Sequence, residues 1–325
     1  MLRMPEFEVH LPRTVSEAMV LRTSLPDAMF VAGGTDLLPN LRRGVAAPAL
    51  LVDLGALDGL RTIESSPTHW RLGAGVTLAA LASDAALAAS LPAIVQAAAS
   101  VAGPGHRSAA TLGGNLCQDT RCVFYNQSAW WREANGWCLK RGGSVCHVAP
   151  QGQRCHAAFE GDMAPAAIAC DAQAEVVGPR GMRRIALGTL YRDDGAAHLA
   201  LERGELIVAL HLPRPAPGTE SAYRKQRARG AMDFPLAGVA MRLRRDGDRL
   251  AELAVAIGGT NSNPFLLEGT AALLGRPIDD AMAAELGKLV SKQVSPMRST
   301  VTAAHHRRRV AAVAAQRLLR ELGSR

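Results

Sequence analysis

The sequence predicts an α+β protein built from two or three lobes, and three observations favour this class. Its 325 residues are more than one ordinary hydrophobic core needs. Hydrophobic residues make up 48% of the chain and charged residues 20%, which is the balance of a folded globular protein. Short apolar segments alternate with helix-like segments early in the chain, and further strand-like and helix-like segments follow after residue 178.

A first domain is expected at residues 1–177, in two lobes at about 1–56 and 57–177. The elements predicted for its first lobe are a helix at 14–24, capped by Thr14, and strands at 28–32 and 49–54. Those predicted for its second lobe are helices at 78–89 and 91–101 and a helix or strand pattern at 166–177. Regular periodicity is lost between these parts, so we expect a functional insertion at about 117–160.

A second, α+β domain is expected at residues 178–325, because Gly178 and Pro179 interrupt any continuing element. The strands predicted there lie at 205–212, 237–244 and 253–258, and the helices at 264–274, 281–289 and 300–322. The last of these helices is basic, since it carries Arg307, Arg308 and Arg309. We interpret these arginines as a solvated helix face or a contact with an acidic partner subunit.

Composition excludes several classes of function. The net charge of +8 raises the question of nucleic acid, but the other basic residues are scattered and aromatic residues are only 4% of the chain. We therefore expect no nucleic-acid partner. The sequence has no apolar run of bilayer length and its first residues contain no signal-peptide core, so we expect a cytoplasmic protein without membrane contact.

Two glycine pairs carry the first functional signal. A predicted strand runs directly into Gly33 and Gly34, and a second pair, Gly113 and Gly114, lies further along the chain. Glycine lets the backbone approach a ligand closely, and successive N–H groups in such turns hold anions. Neither pair fits a single-loop dinucleotide or P-loop motif, but two such turns in adjacent lobes could hold a pyrophosphate between them.

Three ordered segments resemble the FAD-contact segments in the medium subunits of xanthine-dehydrogenase-type molybdenum hydroxylases. They read VAGGTDLL at 31–38, ATLGGNL at 110–116 and GDMAPAAIACDA at 161–172. Residues 201–213 and 223–240 resemble the C-terminal domain of that family, so the resemblance covers nearly the whole chain. It implies a two-lobed FAD-binding fold of the PCMH/VAO type, followed by an α+β domain of the CO dehydrogenase flavoprotein C-terminal type.

The resemblance also implies which residues bind FAD. The implied contacts are Phe30, Val31, Ala32, Gly33, Gly34, Thr35, Asp36, Leu37, Val101, Thr111, Gly114, Asn115, Asp162 and Lys225. Taken alone, Asp162 would be interpreted as a helix N-cap and Lys225 as a surface lysine. One departure from the family pattern is His106-Arg107-Ser108, which stands where the family has an aliphatic–Arg–Asn step. It leaves the contacts on the adenine or ribose side open.

The cysteines carry the second signal. Five of the six fall between Cys117 and Cys155, and in a reducing compartment such clustering indicates metal or redox chemistry. Four thiolates can complete a [4Fe–4S] cluster or a structural zinc site. The segment has no C-x₂-C pair, which disfavours zinc, and its spacings are irregular, which suits a cluster wrapped by a loop. Cys170, in an apolar run, is predicted to be a core residue.

The insertion itself resembles that of the 4-hydroxybenzoyl-CoA reductase branch of the family, whose flavin subunit binds an additional [4Fe–4S] cluster. This resemblance implies Cys122, Cys138, Cys146 and Cys155 as cluster ligands and leaves Cys117 as a buried thiol or a thiol near the flavin. His147 and His156 are alternative ligands, interpreted as flanking loop residues. Trp130, Trp131 and Trp137 are expected to pack over the cluster or to present an edge to a redox partner.

What the resemblance implies for function is an electron-transfer subunit with no substrate site of its own. Its implied partners are a molybdopterin-binding large subunit and a [2Fe–2S] small subunit, as a dimer of heterotrimers, with ferredoxin as electron donor. The implied reaction is reductive dehydroxylation of 4-hydroxybenzoyl-CoA. The alternatives are a flavin subunit of an oxidising molybdenum hydroxylase or dehydrogenase with an extra cluster, and a zinc-stabilised binding module.

Overall fold

The N-terminal lobe is a small parallel sheet flanked by two helices. The structure, a computed structural model, describes residues 4–324. The strands are β1 (Glu8–His10), β2 (Met29–Val31) and β3 (Leu50–Asp53), in the order β1-β3-β2, and the helices are α1 (Val15–Ser24) and α2 (Leu37–Arg42). Thr14 caps α1 as expected, because its hydroxyl accepts a 3.1 Å hydrogen bond from the Glu17 N–H.

The second lobe contains an antiparallel five-stranded sheet in the order β4-β5-β8-β6-β7. Its strands are β4 (Ile63–Ser65), β5 (His69–Gly73), β6 (Gln173–Gly178), β7 (Gly181–Ala186) and β8 (Leu206–Pro213). Gly178 and Pro179 lie at the turn between β6 and β7. The largest hydrophobic core of the protein lies between this sheet and the helices of the lobe.

Seven helices fall between β5 and β6. They are α3 (Leu78–Ser83), α4 (Ala85–Ser90), α5 (Pro92–Ser100), α6 (Pro104–Ala109), α7 (Leu112–Leu116), α8 (Ala129–Ala134) and α9 (Met163–Ala169). The single helix predicted at 78–89 is divided into α3 and α4, because the Asp84 carboxylate accepts from the Leu87 N–H and starts a new helix. Residues 117–160 form an irregular insertion, in which α8 is the one α-helix that the structure describes.

The C-terminal lobe is an antiparallel sheet in the order β12-β11-β10-β9, covered by two helices. The strands are β9 (Thr219–Gln226), β10 (Ala237–Asp246), β11 (Arg249–Gly258) and β12 (Phe265–Leu266), and the helices are α10 (Asp280–Gln293) and α11 (Ala304–Gly323). The helix predicted at 264–274 is wrong. Phe265 and Leu266 instead pair with β11, and a short 3₁₀ turn at Thr270–Leu273 follows.

Arg307 on α11 is fully buried, so the interpretation of the three arginines as a solvated face is wrong for this residue. Its guanidinium donates to the backbone carbonyls of Leu236, Met297 and Gly259. A buried arginine needs such partners, because an unpaired charge is costly away from water. Arg307 therefore joins α11 to the loops at the end of the C-terminal sheet. Within residues 4–324, no helix is both long enough and apolar enough to cross a bilayer.

Candidate flavin and iron–sulfur site

The two glycine pairs meet in a narrow neck between the N-terminal lobes. At Gly33 an added Cβ would lie 2.0 Å from the carbonyl oxygen of Ala109, so only glycine fits there. Gly34 has a φ of +68°, in the left-handed region that other residues rarely adopt. On the opposite side, the Thr111 hydroxyl accepts from the Gly114 N–H at 3.1 Å and fixes the start of α7. The backbones of the two lobes thus meet closely at Gly33, and residues of both turns line the adjoining cavities.

A cavity opens on each side of this neck. The front cavity has a volume of about 630 Å³ and extends to Asn115, Asp162 and Lys225. The rear cavity, of about 1060 Å³, extends to Leu60 and Leu206. Gly33, Gly114 and Cys117 are among the residues that line both. A long ligand with a narrow charged centre and two bulky ends suits this shape.

The front cavity brings together every residue for which the sequence implied a flavin contact. Its lining includes Phe30, Val31, Ala32, Gly33, Gly34, Thr35, Asp36, Leu37, Val101, Thr111, Gly114, Asn115, Asp162 and Lys225. These residues come from the two N-terminal lobes and, through Lys225 on β9, from the C-terminal lobe. His106, which departs from the family pattern, lies on the same wall.

Asp162 and Lys225 form a buried ion pair at the far end of the front cavity. The Lys225 ammonium lies 2.8 Å from one carboxylate oxygen of Asp162, and the two side chains are 4% and 3% exposed. The other carboxylate oxygen accepts from the Tyr223 hydroxyl at 2.6 Å. Asp162 stands at the N-cap position of α9 but makes no side-chain capping bond, so its interpretation as a capping residue is wrong. Lys225 is buried, so its interpretation as a surface lysine is wrong as well. Burial raises the pKa of Tyr223 well above its ordinary value, which keeps it a donor.

Arg121 links the first glycine turn to the insertion. Its guanidinium is paired with the Asp36 carboxylate and donates to the Asn40 side chain at 3.0 Å. The same group stacks over the ring of Phe234, 5.2 Å from the centroid. Nothing in the spacing of the sequence singles out Arg121, because its partners lie far away along the chain. The side wall of the front cavity is therefore built jointly by the N-terminal lobe, the insertion and the loop after β9.

Glu160 is a second residue that the sequence did not reveal. It lines the front cavity and is 2% exposed, and its Oε1 has no hydrogen-bond partner among the described residues. Burial raises its pKa to about 8, although Arg307, Arg121 and Lys225 oppose the shift. A carboxyl group in such surroundings holds its proton at neutral pH.

The four cysteines implied as ligands surround one small cavity in the insertion. Cys122, Cys138, Cys146 and Cys155 are all buried, and none forms a disulfide. Burial raises the pKa of Cys122 to about 11 and that of Cys155 to about 12, and neighbouring thiols add to both shifts. The Ala157 N–H donates to the Cys155 sulfur at 3.4 Å. We refer to this enclosure as the cysteine cavity.

Tyr125 and Lys140 line both the front cavity and the cysteine cavity, so they form the partition between the two. The Lys140 ammonium lies 4.3 Å from the centre of the Tyr125 ring. It also donates to Asp119 at 2.5 Å and to the Thr120 hydroxyl at 2.6 Å. These contacts hold the Lys140 ammonium in an ion pair at the shared wall.

The remaining insertion residues divide between core and surface. His147 lies on the wall of the cysteine cavity, with its Nε2 3.1 Å from the Trp137 carbonyl oxygen, whereas His156 is not part of that wall. Trp130 is 74% exposed, so it does not pack over the cysteines. Cys170 is a buried core residue, as predicted, and Cys117 lies at the neck, where burial raises its pKa to about 12. Across residues 4–324, no three His, Cys, Asp or Glu side chains are arranged to hold a metal ion.

These features define a two-lobed flavin-binding protein with a covering C-terminal domain. Residues 5–215 match the FAD binding domain in molybdopterin dehydrogenase, and residues 221–322 match the CO dehydrogenase flavoprotein C-terminal domain. The chain belongs to this family of FAD-binding medium subunits of molybdenum hydroxylases. The predicted fold class is thereby confirmed.

Several relatives resemble the chain over most of its length. The aldehyde oxidoreductase FAD-binding subunit PaoB of Escherichia coli K12 is 34% identical over 283 residues, 84% of this chain and 87% of its own. The carbon monoxide dehydrogenase medium chain of Afipia carboxidovorans is 28% identical over 322 residues, 98% of this chain and 97% of its own. The crystal structure of the cyanide-inactivated Cu,Mo-CO dehydrogenase superposes with a TM-score of 0.83 at 26% identity, covering 99% of both chains.

The neck and the two cavities fit FAD. The dinucleotide has a pyrophosphate between two bulky ends, and the site has a glycine-walled neck between two cavities. A side chain at Gly33 would collide with the Ala109 carbonyl group and push the two sides of the neck apart. When bound, FAD supplies conversion between one-electron and two-electron steps.

Proposed function

We propose that this chain is the flavin and iron–sulfur electron-transfer subunit of a molybdenum-containing reductase. In this proposal Cys122, Cys138, Cys146 and Cys155 hold a [4Fe–4S] cluster, and the residues implied as flavin contacts hold FAD. Electrons enter from ferredoxin and leave towards the [2Fe–2S] small subunit and the molybdopterin-binding large subunit, in a dimer of heterotrimers. The reaction is reductive dehydroxylation of 4-hydroxybenzoyl-CoA to benzoyl-CoA, carried out in the cytoplasm.

The observation that carries the proposal is the shared wall between the cysteine cavity and the front cavity. Four buried thiols from separate parts of the insertion face one enclosure, and only Tyr125 and Lys140 line both it and the front cavity among the residues described. Four cysteine sulfurs are a complete ligand set for an iron–sulfur cluster. Two redox groups on either side of one wall are placed for electron exchange, which is what such a subunit requires.

The spacing of the cysteines favours a cluster over zinc, because the insertion contains no C-x₂-C pair. Zinc–sulfur bonds are about 2.3 Å, so a single ion draws four sulfurs close together in a tetrahedron. In the part of the chain that the structure describes, no such single-ion arrangement exists, although the four sulfurs share one enclosure. A zinc-stabilised binding module would also give no reason for the adjacent flavin cavity.

The chain's own residues would tune such a cluster. The Ala157 N–H already points at the Cys155 sulfur, and hydrogen bonds to ligand sulfurs raise reduction potentials. The buried Lys140 ammonium, paired with Asp119 at 2.5 Å, places an ion pair at the partition. The surrounding apolar residues, which include Val45, Phe124 and Val148, keep water away from the sulfurs.

A second candidate function is an oxidising molybdenum hydroxylase or dehydrogenase in which the cluster is an additional electron outlet. The names of the relatives favour it, since they include an aldehyde oxidoreductase and carbon monoxide dehydrogenases. The fold and the flavin site serve either direction of electron flow.

The cluster is tested by anaerobic purification of the full chain with iron, zinc and flavin quantitation, followed by EPR of the dithionite-reduced protein. We expect about four irons and one FAD per chain and the signal of a reduced cluster. Cys138→Ser should lose the iron and keep FAD, whereas the matched controls Cys117→Ser and Cys170→Ala should keep both. Zinc without iron, or equal loss of iron from Cys117→Ser, would refute the ligand set.

The direction of electron flow is tested with the complex that co-purifies with the chain. We expect reduced ferredoxin to drive conversion of 4-hydroxybenzoyl-CoA to benzoyl-CoA, measured by chromatography of the thioesters. Reduction of the flavin by an aldehyde, carbon monoxide or a purine, with no turnover of the thioester, would instead establish the oxidising function.

A further inference from the structure

Glu160 has a position that flavin binding alone does not explain. It lies at the end of the insertion, two residues before Asp162, and one of its oxygens has no partner among residues 4–324 although the side chain is buried. Buried polar atoms are nearly always hydrogen-bonded, so an unpaired one beside a cavity calls for a functional reason. Asp162, in contrast, is fully engaged by Lys225 and Tyr223.

The charged groups around Glu160 come from four parts of the fold. They are Arg121 of the insertion, Lys225 of β9, Arg307 of α11 and Asp162 at the start of α9. Lys225 is neutralised by Asp162, and Arg121 is paired with Asp36. Arg307 bonds only to backbone carbonyls among the described residues, so its charge is not cancelled by a carboxylate in direct contact. Either protonation state of Glu160 is therefore accessible at moderate pH.

We propose that Glu160 is the redox-linked acid of the front cavity, a carboxyl group that holds a proton whenever the flavin is reduced. The inference rests on the flavin part of the proposed function. Two electrons and one proton added to the bound flavin leave one extra negative charge in the cavity. If Glu160 is ionised beforehand, it takes a second proton from solvent, forming its own O–H bond and cancelling that charge. The totals are two electrons, from the chain's redox partner, and two protons, from water.

The physical reason is repulsion between like charges in a poorly solvated space. A negative charge added beside a carboxylate raises the pKa of that carboxylate, and the reverse linkage lowers the flavin potential when Glu160 is ionised. At neutral pH Glu160 is already mostly protonated, since burial raises its pKa to about 8. The flavin can then be reduced without repulsion from a Glu160 carboxylate. Above that pH, reduction takes up one additional proton.

The test is a dithionite titration of the FAD-loaded full chain between pH 6 and 10, by visible spectroscopy. One proton per two electrons changes the equilibrium tenfold per pH unit, or about 30 mV. We expect the midpoint potential of the flavin to fall by about 30 mV per pH unit at low pH. Above a break near pH 8 the slope should be about twice as steep, because the second proton adds an equal contribution. Glu160→Gln should keep the shallow slope throughout. Glu175→Gln, a carboxyl outside the cavity paired with His211, should keep the wild-type break.

A second measurement on the unaltered protein keeps the inference testable if Glu160→Gln does not fold. Reduced-minus-oxidised infrared spectra at pH 9 should show a new carboxylic C=O band, which moves with ¹³C-labelled glutamate. Absence of this band, or a break that persists in Glu160→Gln, would overturn the inference. A chain that binds no FAD would contradict the proposed function as well. A chain that binds FAD but no iron would contradict only the cluster, and the titration would still decide the role of Glu160.

Discussion

Removing the Lys225 ammonium should destabilise the protein strongly, and more than removing the whole ion pair. Lys225 lies 2.8 Å from a carboxylate oxygen of Asp162, and both side chains are almost completely buried. Lys225→Met would leave the Asp162 carboxylate with only the Tyr223 hydroxyl as a partner. Breaking a buried pair from one side costs about 3–5 kcal/mol, because the remaining charge is uncompensated. For a chain of this size we expect the unfolding temperature to fall by roughly 4–7 °C.

The double variant Lys225→Met with Asp162→Asn is the matched control. It removes both charges and leaves an amide that can still accept from Tyr223, so it should recover all but about 1–2 kcal/mol of the loss. Urea unfolding of the flavin-free chain measures this without the contribution of bound ligand. A loss below about 1 kcal/mol in Lys225→Met, or a double variant as unstable as the single one, would refute the role of the pair.

Three further predictions concern the neck, the partition and acid stability. Gly33→Ala should abolish FAD binding, measured by fluorescence titration, since its Cβ would lie 2.0 Å from a backbone oxygen, whereas Gly59→Ala, which meets no atom within 4 Å, should bind normally. Lys140→Met should lower the potential of the proposed cluster by about 60 mV or more in EPR-monitored titration, because it leaves the Asp119 carboxylate uncompensated beside a group that gains negative charge on reduction, and Lys140→Arg should restore the potential. Burial lowers the pKa of His198 to about 4. The unfolded chain therefore binds a proton below about pH 6.5 that the folded chain does not, and stability falls by up to about 3 kcal/mol as the pH drops from 6.5 to 4. His198→Gln should flatten that part of the curve in urea unfolding, and an unchanged curve would contradict the assignment.

The parts of the site that local sequence revealed are those with local physical causes. Gly33 and Gly34 are conspicuous because a tight, ligand-facing turn requires glycine at those positions. The four insertion cysteines are conspicuous because their chemistry is unusual outside metal and redox sites. In both sets the residue type itself carries the information, and the neighbours along the chain are enough to identify it.

Asp162, Lys225, Arg121 and Glu160 have no such local signature. Lys225 lies 63 positions from Asp162 in the chain, and only the packing of β9 against the second lobe makes them a pair. The resemblance to a family supplied that pair, but it gave no indication of Glu160, whose importance comes from burial and an absent partner. Tertiary contacts also overrode local pattern at Phe265 and Leu266, where pairing with β11 replaced the predicted helix.

The route of the chain places residues 117–160 beside the flavin cavity. The insertion leaves the second lobe directly after the glycine pair of the neck and returns at Glu160, just before Asp162, so both of its ends lie on the front cavity. A two-way backbone bridge between Arg121 and Ala158 closes the base, with N···O distances of 2.7 and 2.8 Å. Because the base of the insertion is held at the wall of the front cavity, a group bound inside the insertion stays beside the flavin site. Further bonds, from Val123 to Ser299 and from the Ser262 hydroxyl to Cys155, hold it against the C-terminal lobe. Proximity of the two redox groups would then follow from the point of insertion, with the partition residues left to set the potential.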